Sequence, residues 1–142
     1  MTDERLKREI IILNKNLKEN RFKFLGFNTN NPYLVVAQKT TKYGRIYTIK
    51  IDLTPFPHAV PPAFITDPKP LLTRSGGSML GASHDMHTLG GENGCVRVCH
   101  YHPNEWDANV SLYKVVMKIR VWLETYEKHL ETGELLSHYL QG

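Results

Sequence analysis

The segment "TPFPHAVPP", residues 54–62, constrains the fold more than any other stretch of this chain. Half of its last eight positions are proline, namely Pro55, Pro57, Pro61 and Pro62. Proline lacks a backbone N–H and fixes φ at about −65°, so this spacing excludes both an α-helix and a regular central strand. We expect a rigid, extended crossover that separates a β-rich first part of the chain from a second part of different character.

Four short runs on either side of the proline segment are rich in β-branched and aromatic residues. They are "FKFLGF", "PYLVVAQ", "RIYTIKIDL" and "AFIT", and the clusters "NTNNP" and "TKYG" mark turns between the first three. Links as short as these join neighbouring antiparallel strands. The sequence therefore predicts a four-stranded antiparallel meander over residues 22–66.

Two amphipathic helices are predicted at the ends of the chain. In residues 2–20, the helical face consists of Leu6, Ile10, Leu13 and Leu17, and Thr2 or Asp3 can cap its start. The stronger pattern covers residues 109–132, with a broad apolar face of Leu112, Val115, Val116, Ile119, Trp122, Leu123, Tyr126 and Leu130. Asp107, Asn109 or Ser111 can cap this long helix, and Gly133 ends it. Helices on one side of an antiparallel sheet make the predicted class α+β.

Residues 67–94 hold six of the ten glycines and no convincing periodicity. Loops of this length in a single domain are commonly functional, so we expect a long functional loop here. After the long helix, the tail "ELLSHYLQG" can add one short helix.

The chain of 142 residues fits a single domain over residues 1–142. Its longest apolar runs, such as "YLVVA", are far shorter than the ~20 residues that cross a bilayer, and its charged start lacks the apolar core of a signal peptide. We therefore expect a soluble, cytoplasmic protein. The formal net charge of +4 comes from cations interleaved with acidic residues, as on a solvated helix face. Neither nucleic acid nor a membrane is an expected partner.

Cys95 and Cys99 are the two cysteines of the chain. On one extended strand, at ~3.3 Å per residue, they would lie ~13 Å apart and beyond disulfide reach, so reduced thiols are expected. Four histidines lie nearby in the sequence: His84, His87, His100 and His102. A neighbouring imidazolium, or the N-terminus of the long helix, would lower a thiol pKa. A nucleophile, a metal ligand and a small buried thiol are all open at this point.

Three landmarks resemble the ubiquitin-conjugating enzymes, and most closely their bacterial relatives. "PFPHAVPP" is similar to the proline-rich segment after the third strand of that fold. "RVCHYHPNEW" resembles the bacterial active-site segment, in which an apolar residue, the cysteine and an aromatic-proline stretch lead to Glu-Trp. "WLETYEKHLETG" is similar to the Trp-Leu, Tyr-Glu and Thr-Gly series of the bacterial long helix. The resemblance implies a ubiquitin-conjugating-enzyme-like fold, and the ordered landmarks span residues 50–133.

The resemblance also implies transthiolation, in which a cysteine takes the C-terminal acyl group of a protein as a thioester and passes it to a lysine amine. A thiolate suits this reaction because it is both a good nucleophile and a good leaving group. The motif match places Cys99 at the position of the family's cysteine. Cys95, directly after the turn glycine of "ENG", is the alternative nucleophile, while a fixed count from that glycine falls on Arg97.

The family carries a His-Pro-Asn element upstream of its cysteine, and the bacterial members keep the histidine most readily. Here "MHTLGGEN" supplies His87 without a following proline, and Asn93 and Asn104 are the candidates for the asparagine. An imidazole or amide at this place would stabilise the oxyanion that forms as the amine attacks. His100 is a further catalytic candidate, although alternation along a strand edge explains it equally well.

Bacterial relatives occur in anti-phage operons, beside ubiquitin-like proteins with an activating enzyme and a deconjugase, or beside nucleotidyltransferases of the cyclic GMP-AMP synthase type. The resemblance therefore implies that the chain carries the C-terminus of a ubiquitin-like protein or of such a synthase, with or without a separate activating enzyme. A stand-alone conjugating domain without a fused adenylating domain fits the short operon type, in which the synthase is the partner.

Three other interpretations stay open. A catalytically inactive member of the same fold would act as a binding module, which the shifted cysteine register and the incomplete His-Pro-Asn element allow. A zinc site could combine both cysteines with nearby histidines, although the spacing between the cysteines is wide, and we expect no bound metal and no cofactor. A papain-like hydrolase needs its cysteine at a helix N-terminus and its histidine far downstream, which does not fit this order.

Overall fold

A computed structural model describes residues 1–18 and 21–140. Its elements, in chain order, are α1 (Asp3–Asn16), β1 (Phe22–Leu25), β2 (Tyr33–Lys39), β3 (Ile46–Asp52), β4 (Ala63–Asp67), β5 (Thr88–Glu92), β6 (Cys95–Val98) and α2 (Leu112–Thr132). Two short 3₁₀ helices, Pro103–Glu105 and Leu136–His138, flank α2. The class is α+β, as the sequence predicts.

The sheet is larger than the predicted meander. Strands β1 to β4 pair antiparallel in sequence order, which confirms the prediction for residues 22–66. The sheet then continues with β6 and ends with β5, in the order β1-β2-β3-β4-β6-β5, so the expectation of four strands is wrong. The β5–β6 hairpin turns at Asn93 and Gly94, whose φ values of 54° and 76° are those of a type I′ turn. It also shortens the loop predicted for residues 67–94.

One face of the sheet forms the core with α2. Its strand residues are buried at 0–1% exposure: Leu34, Val36, Ile49, Ile51, Ala63, Ile65, Val96 and Val98. The buried face of α2 includes most of the apolar positions predicted from its period, with Trp122 at 1% exposure as the largest side chain. Burying roughly 150–250 Å² on one aromatic side chain makes this residue a dominant contributor to core packing. The helix thereby fixes the inner side of the sheet, while the outer side carries the alternate residues of each strand.

The helix boundaries differ little from the prediction. Ser111 caps α2 by accepting a hydrogen bond from the Lys114 N–H, so the helix begins three residues later than expected. Gly133 ends it in the left-handed region, at φ 78°, which a residue with a Cβ rarely adopts. Thr2 caps α1, and that helix stops at Asn16. The predicted extension to residues 19 and 20 lies outside the described residues.

The proline segment is folded into a turn, so the predicted extended crossover is wrong for its first half. The N–H groups of His58 and Ala59 both donate to the carbonyl of Pro55, at 3.0 and 3.1 Å. Pro57 lies at the third position of the turn closed by His58 and follows a cis peptide bond, the form in which proline occupies that position. The chain becomes extended only at Pro61 and Pro62, just before β4. Within the described residues, no helix is both long and apolar enough to cross a membrane.

Candidate functional site

Cys99 stands directly after β6, where the chain leaves the sheet, and its side chain is partly exposed. Its backbone N–H donates a 2.9 Å hydrogen bond to the carbonyl of His87. This bond extends the pairing of β5 with β6 by one residue beyond Thr88 and Val98. Two residues that lie twelve positions apart in the sequence are thereby fixed side by side through their main chains.

His87 belongs to a tight turn formed by Ser83–Thr88, called the histidine turn below. Ser83 and Thr88 exchange two backbone hydrogen bonds, at 3.1 and 3.0 Å, which close the turn. His87 itself has φ 51°, a left-handed conformation that costs free energy in a non-glycine residue. The indole N–H of Trp122 donates to the carbonyls of Met86 and His87, at 3.2 and 3.0 Å. The long helix thus helps to hold His87 in this conformation.

The imidazole of His87 is buried at 7% exposure, and its Nε2 has no hydrogen-bond partner among the described residues. Burial lowers the pKa of His87, and the nearby His84, with a ring-centroid distance of 5.7 Å, lowers it further. The ring is therefore neutral at pH 7. A buried, neutral imidazole with an unused ring nitrogen can donate to or accept from a bound reactant.

Burial raises the pKa of Cys99 above its ordinary value of 9.0, and the positive charge of Arg97 opposes this only in part. Most Cys99 side chains therefore carry a proton at pH 7. The lowered thiol pKa considered from the sequence is not found at Cys99, because the neighbouring histidine is neutral and partial burial dominates.

Cys95 has a different environment, although it lies only four residues earlier. It opens β6, is 8% exposed, and its thiol points to the carbonyl of Asn93 at 3.7 Å across the hairpin turn. Both cysteines are free, as expected. Of the two, Cys99 is the more accessible to a large substrate.

The other proposed catalytic residues have mainly structural contacts. Nε2 of His100 donates to the carbonyl of Pro61 at 2.8 Å, and burial lowers the pKa of His100 to about 4, so the ring is neutral. His102 caps the 3₁₀ helix Pro103–Glu105 by accepting from the N–H of Asn104. Asn104 is exposed, and the other asparagine candidate, Asn93, occupies the hairpin turn. Nδ1 of His100 is buried without a hydrogen-bond partner among the described residues, as Nε2 of His87 is, so His100 stays a catalytic candidate. Asn104 likewise stays a prediction.

Trp106 anchors the segment that follows Cys99. Its indole N–H donates to the carbonyl of Pro57 at 2.9 Å, in the proline turn. Its ring packs edge-on against Phe56 and Tyr101, at centroid distances of 6.1 and 5.3 Å. The proline segment and the cysteine segment are therefore one packed unit, with His100 as a second tie between them.

Arg5 and Glu9 of α1 hold the chain that joins the cysteine segment to α2. Sequence reasoning missed this role of the two residues. Arg5 donates to the carbonyls of Ala108 and Val110, at 2.6 and 3.0 Å, and forms an ion pair with Glu9 at 2.9 Å. The other carboxylate oxygen of Glu9 accepts from the Leu112 N–H at 2.7 Å. Glu9 is 1% exposed, although its sequence context is that of a solvated charged face. An i, i+4 Arg–Glu pair was the available signal, but it does not distinguish surface from buried pairs.

A cavity of about 550 Å³ borders the histidine turn on the side of the C-terminal end of α2. It is lined by Thr73, Arg74, Ser75, Ser83, Asp85, Met86, His129, Gly133 and Leu135. Within residues 1–18 and 21–140, no three His, Cys, Asp or Glu residues are grouped so that they could hold a metal ion. The zinc interpretation therefore lacks a ligand set in this part of the chain.

Comparison with known proteins gives no match: no protein-family model, no curated protein and no solved structure is significantly similar to this chain. The relationship to the ubiquitin-conjugating enzymes therefore stays a prediction, based on the landmarks in the sequence.

Proposed function

We propose that this chain is a ubiquitin-conjugating-like acyltransferase. Cys99 attacks the activated C-terminal carbonyl of a partner protein, forms a thioester and releases the activating group. An amine then attacks the thioester, an amide bond forms, and the Cys99 thiolate leaves and regains its proton. The α+β order of helix, antiparallel sheet and long helix supports the corresponding fold assignment.

The observation that carries the proposal is the environment of Cys99. It is partly exposed at the end of a strand, and its main chain is hydrogen-bonded to a histidine with a buried, unpartnered ring nitrogen. The chain is held on both sides of Cys99: β6 precedes it, and the segment anchored by Trp106 follows it. A nucleophile fixed in this way loses little entropy when the acyl group is transferred, which favours both steps.

His87 has a separate role in this proposal. A tetrahedral oxyanion forms when the amine attacks the thioester, and a hydrogen-bond donor aimed at it lowers the barrier. The neutral ring of His87 can supply that donor from Nε2, which has no other partner among the described residues. His87 should therefore matter for transfer to the amine more than for loading of the cysteine.

The partner is proposed from the resemblance. The carried C-terminus belongs to a cyclic GMP-AMP synthase-like nucleotidyltransferase or to a ubiquitin-like protein, in bacterial anti-phage defence. The acyl donor must be activated, as an acyl adenylate or a thioester is, because a thiol does not displace the oxygen of a free carboxylate. A separate activating enzyme would supply such a donor.

A synthetic peptide thioester tests loading without that enzyme. We expect a peptide ending in a glycyl thioester to acylate Cys99 and to give one adduct by intact mass spectrometry, which excess thiol removes. Cys99→Ala should lose this adduct, and Cys95→Ala, the matched control, should keep it. Loss in Cys95→Ala alone would transfer the assignment to Cys95.

The second step separates an enzyme from a merely reactive thiol. After loading, added lysine should cleave the thioester faster on this protein than on the same peptide joined to N-acetylcysteine. His87→Ala should load normally but lose most of this advantage, since a single oxyanion donor contributes about a hundredfold in rate. Equal aminolysis on protein and on N-acetylcysteine would refute the enzyme.

A catalytically inactive binding module is the second candidate, and the raised pKa of Cys99 favours it. Such a module needs the fold and its surfaces but not a thiolate. If both cysteine variants keep every activity of the protein toward its partner, this candidate replaces the enzyme.

A further inference from the structure

The outer face of the sheet carries a continuous row of side chains across all six strands. Paired registers align, in spatial order, Lys23, Val35, Lys50, Phe64, Arg97 and Leu89. Cations and apolar residues alternate along this row, which we call the cross-strand row. In β2, β3, β4 and β6 the row members alternate with buried core residues and therefore lie on the opposite face of the sheet. In β1, Lys23 lies between Phe22 and Phe24, which are partly buried and pack against the core.

The three cations of the cross-strand row form no ion pair with any described residue. The four ion pairs of residues 1–18 and 21–140 involve other groups. Lys50 and Arg97 instead lie over aromatic rings, with Lys50 Nζ 4.6 Å from the Tyr33 centroid and Arg97 Cζ 6.0 Å from the Phe64 centroid. Nε of Arg97 is buried and has no hydrogen-bond partner among the described residues. The row therefore has positive charge available for an anionic partner.

Acidic side chains near this face lie outside the row. Asp52, Asp67 and Glu92 are the last residues of β3, β4 and β5. The carboxylate of Asp52 is already bonded to the N–H of Thr54 at 2.9 Å. The centre of the outer face is thus cationic and partly apolar, in a protein whose net charge is already +4.

The spacing of the row matches a particular kind of chain. Strands lie about 4.8 Å apart, so cations on alternate strands lie about 9.6 Å apart. A polyproline II segment repeats every three residues with a rise of about 3.1 Å per residue, which puts side chains on one side of it about 9.3 Å apart. Carboxylates at every third residue of such a segment would meet Lys23, Lys50 and Arg97 in turn.

We propose that the cross-strand row docks an acidic protein segment that runs across the strands, with a carboxylate at every third residue and apolar side chains between them. Val35 and Leu89, the apolar members of the row whose side chains are not covered by a cation, contact the partner's apolar side chains. Nucleic acid fits less well because the rings of Tyr33 and Phe64 are each covered by a cation and are not free for base stacking. This docking surface does not depend on any reaction at Cys99.

The test uses a fluorescein-labelled peptide, (Glu-Pro-Leu)₄, and fluorescence anisotropy at 0.15 M salt. We expect saturable binding to the full chain. Lys23→Glu with Lys50→Glu should weaken it about tenfold, since two attractive charge contacts become repulsive. Lys7→Glu with Lys114→Glu changes the net charge equally at exposed positions outside the sheet and should leave binding within about twofold, because distant charges are screened. Thermal melts check that both double variants stay folded.

Three results would overturn the proposal. One is equal weakening by the two double variants, which would indicate a general charge effect. Another is equal binding of a peptide with the same composition but four contiguous glutamates, which would show that the three-residue spacing of the carboxylates does not matter. The third is tighter binding of a twelve-nucleotide oligo-dT or of phosphatidylserine vesicles, lost in the Lys23/Lys50 variant. Cys99→Ala should bind the peptide normally, so failure of the acyl-transfer proposal and failure of this one are distinguishable.

Discussion

The two cysteines of this chain have opposite environments although they lie within five residues of each other. Cys95 opens β6 inside a hairpin, is 8% exposed and bonds to the carbonyl of Asn93. Cys99 follows the same strand, is partly exposed and is paired through its backbone with His87. The two thiols differ in their position relative to β6, and that position decides which of them is open to a substrate.

The difference has a simple physical origin. Inside the hairpin, Cys95 is 8% exposed and its Sγ lies 3.7 Å from the Asn93 carbonyl oxygen. The thiol therefore has little space for a reactant. Beyond Val98 the chain departs from the sheet toward the Trp106 anchor, and one side of Cys99 is open to solvent.

Alkylation by iodoacetamide should show the largest contrast between these environments. We expect Cys99 to react about a hundredfold faster than Cys95, because a buried thiol reacts only when the structure opens locally. Peptide mass mapping after timed quenching measures both rates in one sample. Cys95→Ala should keep the fast phase and Cys99→Ala should keep only the slow one, whereas similar rates at the two sites would contradict the contrast.

Trp122→Phe should loosen the histidine turn beside Cys99 and leave the environment of Cys95 unchanged. The substitution removes the indole N–H from the carbonyls of Met86 and His87 and should destabilise the protein by about 2 kcal/mol. Denaturant unfolding gives the loss in free energy. The Cys99 alkylation rate should change as the histidine turn relaxes, and a larger change at Cys95 would mean that the turn is not what positions Cys99.

The pH dependence of alkylation tests the raised pKa of Cys99. Only the thiolate reacts, and a raised pKa means that the thiolate fraction at pH 7 is below that of an ordinary thiol. The rate should therefore rise about tenfold per pH unit from pH 7 and continue rising above pH 9. Arg97→Gln removes the charge that lowers this pKa, so the profile should shift to higher pH, and a shift to lower pH would contradict the assignment.

Glu9→Gln should have the smallest of these effects. It weakens the contacts with Arg5 and the Leu112 N–H and should cost about 1 kcal/mol. Hydrogen exchange should increase in residues 107–112, which follow the Cys99 segment, and stay unchanged in the β5–β6 hairpin around Cys95. Glu4→Gln, at an exposed position on the same helix, is the matched control. Equal exchange in both variants would show that α1 does not hold this segment.

The predictions from local pattern were accurate for elements and less so for their arrangement. The period of α2, its end at Gly133 and the meander of β1 to β4 follow from hydrophobic spacing and turn residues, and the structure confirms them. The β5–β6 hairpin was missed although its Asn93–Gly94 pair is a strong hairpin signal, because glycine-rich sequence around it suggested a loop. The proline turn was missed because proline content excludes regular structure without choosing between a turn and an extended chain.

The candidate site was predicted only as a set of residues. The landmarks in the sequence favoured Cys99 and His87, and the structure brings their main chains together at 2.9 Å. Sequence reasoning could not find Arg5 and Glu9, whose partners are about a hundred residues away in the chain. It also could not show that the ring of His100 is buried against Pro61, 39 positions earlier in the chain.

By itself, the sequence determined the two long helices and the first four strands, where α2 ends and which two thiols are available. Those features depend on period, capping and turn chemistry, which act within a few residues. Only the tertiary structure decided the protonation of Cys99 and His87, the burial of Cys95 and Glu9, and the alignment of Lys23, Lys50 and Arg97 across the sheet. These depend on strand register and desolvation, and both are set by contacts between residues far apart in the chain.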